Sequence, residues 1–243
     1  MDEHLEIRMD EEGMESEEDL GLQDPTSYSK AVLWGTDWTT ETIVSQLKKK
    51  NIDLDPDFQR RDAWDAVKKS KFIESLILGL PVPPIILAER KDKKNSYLVI
   101  DGKQRLLSIV QFCSDEEGDF IPLYLENLDI LKNIEGNNYT KLKSNDNFTD
   151  YVDQFDNQTI RTVVIRNWPN EKFLYTVFLR LNTGSLKLSS QELRQALHPG
   201  EFLTFVNKYT ENPNPIRELL KLKKPDSRMR DVELIIRYFA FKN

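Results

Sequence analysis

YLVIDGKQRLLSIVQFC, residues 97–113, reads as a buried strand, an abrupt turn and a helix with no spare residue between them. Tyr97, Leu98, Val99 and Ile100 form an apolar run suited to a central strand, and Asp101-Gly102 is a breaker pair that turns the chain. Beyond it Leu106, Leu107, Ile109, Val110 and Cys113 recur at spacings of three and four, which predicts a helix packed on the sheet. Its N-terminus therefore lies beside the end of the strand. Such a terminus has unpaired backbone N–H groups and a partial positive charge, and a preceding glycine lets a ligand approach the backbone. Lys103 and Arg105 add cations to the first turn, where the dipole disfavours them unless an anion compensates. A phosphate is such an anion. Gln104 can donate and accept hydrogen bonds, and Asp101 can hold a metal ion or orient a water. The same residues also suit a plain strand-to-helix turn with Asp101 as its cap and the cations in solvent.

Upstream, Ile85 to Arg90 reads as the partner strand of a hairpin closed by the polar turn 91–96. Pro81, Pro83 and Pro84 make the approach stiff, and a helix is expected over about 65–78, with Phe72, Ile73, Leu76 and Ile77 inward and Gly79 as terminator. Before it lies DPDFQRRDAWD, residues 55–65, where Phe58 and Trp64 anchor a loop rich in Gln59, Arg60 and Arg61. Trp34 and Trp38 lead into a helix expected over about 40–49, and Ile52 with Leu54 suggests a short strand.

Downstream, Phe120 to Leu125 reads as a strand and 126–147 as irregular chain with a short helix. A helix over 148–155, a strand over 158–166 and an amphipathic helix over 170–182 follow. Ser189 and Glu192 form a capping box, and three more helices are expected over 201–210, 215–222 and 227–241. The apolar last helix suggests either a docked terminus or a chain cut from something longer.

The length of 243 residues suits one or two domains with a real core. No apolar run is long enough to cross a membrane and no signal-peptide pattern opens the chain, so a cytoplasmic protein is expected. Cys113, the one cysteine, rules out an internal disulfide framework and falls on the apolar face of its helix as core filler. The two histidines, His4 and His198, are too few for a histidine-based metal or nuclease site. The net charge of −7 is unevenly spread: residues 1–24 hold eleven of the 41 acidic and one of the 34 basic residues, leaving 30 against 33 elsewhere. A mildly basic body with an acidic tail suits a polyanionic partner, while such a tail also serves solubility alone.

FQR at 58–60, Trp64, KSKFIESLILGLPVPPIIL at 69–87, DGKQRL at 101–106 and FLRLNTGSLKLSSQEL at 178–193 follow in the order and spacing of one family. The chain resembles the DGQQR family, the ParB- and sulfiredoxin-like domain at the N-terminus of GmrSD-type modification-dependent restriction enzymes, over roughly residues 35–243. The resemblance implies an α/β (α+β) fold: a small mixed sheet with surrounding helices and a helical C-terminal part. With residues 1–26, whose acidic, aromatic-poor composition predicts disorder, set apart as a tail, the expected division is a nucleotide-binding core over 27–168 and a helical extension over 169–243. It also implies binding and hydrolysis of a nucleoside triphosphate, ATP, GTP or CTP, with Mg²⁺.

Carried over by position, Asp101, Gln104 and Arg105 are the expected catalytic residues, with Asp101 also on the metal. Gln59, Arg60, Gly102, Lys103, Arg180 and Asn182 are expected to bind nucleotide; Lys103 replaces the commoner glutamine. The expected partners are nucleotide, DNA, a nuclease domain or subunit, and a second copy of the chain. A DNA-binding adaptor without turnover is the alternative, and direct nuclease activity is the weakest reading because acids and histidines do not cluster.

Overall fold

The computed structural model describes residues 31–52, 54, 64–181, 191, 200–226 and 229–242. Four strands, β1 (Val32–Thr39), β2 (Ile85–Glu89), β3 (Tyr97–Asp101) and β4 (Thr159–Arg166), form one mixed sheet in the order β1-β4-β2-β3. β4 pairs antiparallel with β1 and parallel with β2, while β2 and β3 form the expected antiparallel hairpin. The expected α+β class is what the chain adopts.

Both faces are covered at the β2–β3 side of the sheet, which explains why these strands are continuous apolar runs rather than alternating ones, whereas most of β1 is exposed. One face carries Ile85, Leu87, Val99, Ile160 and Val164 into a core shared with α1 (Thr40–Lys48), α2 (Ala66–Ile77), α3 (Lys103–Phe112) and α5 (Thr149–Asn157). The other face carries Ile86, Ala88, Ile100 and Ile165 against Phe173, Leu174 and Phe178 of α6 (Glu171–Leu181). Between α3 and α5 lies the short α4 (Tyr139–Lys143). Towards the C-terminus α7 (Glu201–Glu211), α8 (Pro215–Leu219) and α9 (Arg230–Lys242) gather around a smaller core of Val206, Met229, Val232 and Ile235.

The capping chemistry matches the sequence. Asp65 Oδ1 accepts from the Lys68 N–H at 2.8 Å and starts α2, and Gly79, at φ +69°, ends it in the left-handed conformation that glycine tolerates.

Three expectations are corrected. A strand, β1, occupies 32–39, where the sequence suggested only an approach to a helix; Gly35 and Asp37 are poor strand formers, but Asp37 faces Arg161 across the sheet at 3.2 Å and pairing with β4 prevails. Ile52 makes a single bridge to Tyr97 rather than a strand. Phe120–Leu125 lies outside the sheet: Pro122 has no N–H to give a ladder, and Leu123 and Leu125 donate instead to the Gln111 and Asn137 carbonyls, both at 2.9 Å. The capping box at Ser189 and Glu192 lies outside the described residues.

Glu74 holds that irregular stretch in place. Its side chain, buried on α2, accepts from the backbone N–H groups of Asp129, Ile130 and Leu131 at 3.0, 2.7 and 2.7 Å. Burial works to raise the carboxyl's pKa, but the three donors outweigh it and hold the group below its ordinary value.

Candidate functional site

The turn between β3 and α3 is built as tightly as its sequence suggests. Asp101 is the last residue of β3, Gly102 is the N-cap of α3 at φ +100°, and Lys103 opens the helix. Gly102, as N-cap, has no side chain with which to cap this N-terminus, and the Asp101 carboxylate bonds to Arg105 instead. The Leu106 N–H donates to the Gly102 carbonyl at 3.0 Å, which starts the helical ladder. Glycine is required at 102 on two counts. Its φ lies in the left-handed region, and a Cβ there would stand 3.1 Å from Ile85 Cγ1 and 3.2 Å from Arg105 Nη2.

Arg105 folds back over that glycine. Its Nη2 donates to Asp101 Oδ2 at 2.6 Å and to the Pro84 carbonyl at 3.1 Å, which ties the proline-rich approach of β2 to the turn. The residue is 9% exposed, and its Nε is buried with no hydrogen-bond partner. A buried donor without an acceptor is costly, and this Nε is the one buried side-chain polar atom of the turn that the protein itself leaves unsatisfied among the described residues. Asp101 gives Oδ2 to Arg105, and among the described residues Oδ1 accepts no hydrogen bond.

Lys103 is also buried, whereas a plain turn would leave it in solvent. Gln104 Oε1 accepts from the Trp64 N–H at 3.3 Å, and Trp64 packs edge-on against Phe72. The structure thus brings Asp101, Gly102, Lys103, Gln104 and Arg105 together and sets Trp64 beside them. Arg180 is exposed in the last turn of α6. Gln59, Arg60 and Asn182 lie outside the described residues.

Sequence reading missed Lys69. It occupies the inward face of α2, three and four residues before Phe72 and Ile73, a spacing that marks it as buried. Its Nζ donates to Gln111 Oε1 at 2.7 Å, and burial pushes its pKa down to about 8.

Among the described residues no group of three or more His, Cys, Asp or Glu side chains is arranged to hold a metal ion. A Mg²⁺ ion bound through one or two carboxylates and substrate phosphates needs no such cage, and Asp101 Oδ1 fits that mode. No helix among those residues is long and apolar enough to cross a membrane.

The GmrSD restriction endonuclease N-terminal domain is the family whose model matches this sequence, over residues 41–199. The chain belongs to that family. The matched span takes in β4 and α6 as well as the turn, so the GmrSD N-terminal domain includes the whole described site. As a GmrSD N-terminal domain the chain is a component of a DNA restriction system. No curated protein and no solved structure matches it.

Proposed function

We propose that the turn at 101–105 binds the phosphates of a nucleoside triphosphate and hydrolyses it, gating DNA cleavage by a nuclease part of the restriction system. The observation that carries this reading is the N-terminus of α3, capped only by Gly102, with a buried, partly unsatisfied guanidinium beside it. Helix N–H groups and arginine together form the usual equipment for phosphate.

The Asp101–Arg105 pair suggests how the site responds to its ligand. A phosphate oxygen offers Arg105 the acceptor that its Nε lacks and competes with Asp101 for Nη2. Arg105 then neutralises charge developing on the transferred phosphoryl group, and the released Asp101 carboxylate orients the attacking water. Asp101, with the phosphates, would hold Mg²⁺, which would supply further charge neutralisation. Lys103 and Gln104 fix the phosphate chain, and Gln59, Arg60, Arg180 and Asn182 are assigned to the nucleotide by family resemblance.

The test is phosphate release from ATP, GTP and CTP with Mg²⁺, with and without DNA, comparing wild type with Asp101→Asn and Arg105→Lys. Turnover that is lost in folded variants supports the reading. Absence of turnover with every nucleotide, alongside salt-sensitive DNA binding, would replace it with a DNA-binding adaptor.

A further inference from the structure

A cavity lies at the opposite end of α3, about 15 Å along the helix from the turn at its rise of about 1.5 Å per residue. Its volume of about 410 Å³ falls within the range of small-ligand sites, and α1, α4, α5 and the C-cap of α3, Cys113, form its walls. Lys48 and Lys49 at the end of α1 and Lys143 at the end of α4 stand around it. Neither Lys48 nor Lys49 has an acidic partner among the described residues, and Lys143 Nζ reaches only the Tyr139 hydroxyl, at 3.4 Å. Helix C-termini tolerate single lysines in this way. Three that converge from two helices on one concavity are a different matter, because their fields add inside it.

Inside the same cavity the Tyr139 hydroxyl donates to Asp156 Oδ2 at 2.9 Å. Burial raises the Asp156 carboxyl above its ordinary value, opposed by that hydrogen bond and by the charge of Lys143. Glu41 is the other acid there. We infer that this cavity is a binding site for a small phosphorylated ligand, its phosphate held among Lys48, Lys49 and Lys143 and a hydroxyl of its body bonded to the Tyr139–Asp156 pair. The site is separate from the 101–105 turn and does not depend on what that turn binds.

Cys113 gives a direct readout. It lines the cavity half-buried and is the one cysteine of the chain; burial pushes its thiol up to about 12, so a fast methanethiosulfonate reagent at alkaline pH is used, and it reports on this place alone. The probes are adenosine 5′-monophosphate and inorganic pyrophosphate, with sulfate at equal ionic strength as control. A probe at about ten times its dissociation constant slows labelling about tenfold, since protection follows one plus the ratio of ligand to dissociation constant. Protection is expected in wild type and in Arg105→Ala, and lost in Lys48→Glu/Lys143→Glu. Both lysines are exposed, so the double variant keeps its fold; Lys48→Gln/Lys143→Gln replaces it if thermal unfolding shows otherwise. Three results each overturn the inference: no protection by either probe, equal protection by sulfate, or protection that survives the lysine changes but not Arg105→Ala.

Discussion

Arg105 Nη2 lies 2.6 Å from Asp101 Oδ2, across the one glycine that lets the two approach. The pair closes the turn on itself, so the residue best placed to meet a phosphate is also the one that holds the strand end to the helix. Arg105→Ala is expected to cost about 1–3 kcal/mol, the penalty for leaving a partly buried acceptor unmet. Asp101→Asn, which keeps an oxygen acceptor, should cost less. Urea unfolding of both single variants and the double variant checks this, with the double variant less destabilised than the sum of the two.

Gly102→Ala is expected to destabilise by about 1–3 kcal/mol, because alanine pays for the left-handed φ and its Cβ meets Ile85 and Arg105. Chemical denaturation measures it. Nucleotide binding should fall together with stability, since the same Cβ displaces the guanidinium.

Glu74→Ala should cost about 3 kcal/mol through three backbone donors left without a carboxylate. The folded-state pKa of Glu74 is depressed, so its contribution is complete above the unfolded value of 4.5 and fades as pH falls below it. The stability gap between wild type and Glu74→Ala, followed by urea midpoints, should therefore narrow under acid.

Lys69 has the opposite signature. Its folded pKa of about 8 lies below the ordinary 10.5, so the unfolded chain binds more protons between those values. Wild type should gain stability relative to Lys69→Met as pH rises from about 8 towards 10.5. A flat difference over that interval would mean that Lys69 is charged in both states.

Much of this was legible because it is local. The β2–β3 hairpin, α3, β4 and α6 each announce themselves by periodicity and breakers, and the DGKQR turn follows from a strand that ends where a helix begins. β1 was not legible: VLWGTDWT has weak strand character, and it is a strand only because β4 accepts it. In the site, the residue types were readable but their pairing was not. Asp101 and Arg105 look like two separate ligands in sequence, and only the backbone at Gly102 sets them on each other. Lys69 was hidden for a related reason, since lysines are ordinarily counted as surface.

The position of β4 in the strand order fixes the order in which the molecule can be made. Asp37 and Arg161, which face each other across the β1–β4 ladder, are 124 residues apart in the chain, and β2 also waits for β4 as its parallel neighbour. A chain emerging from the ribosome can close the β2–β3 hairpin and wind α3 early, from neighbours in sequence. The sheet cannot be joined until Arg166 has been synthesised, because the strand that links both halves comes last. The turn at 101–105 is thus assembled well before the sheet that supports it is complete, and until then the apolar edge of β2 is what a nascent-chain chaperone would meet.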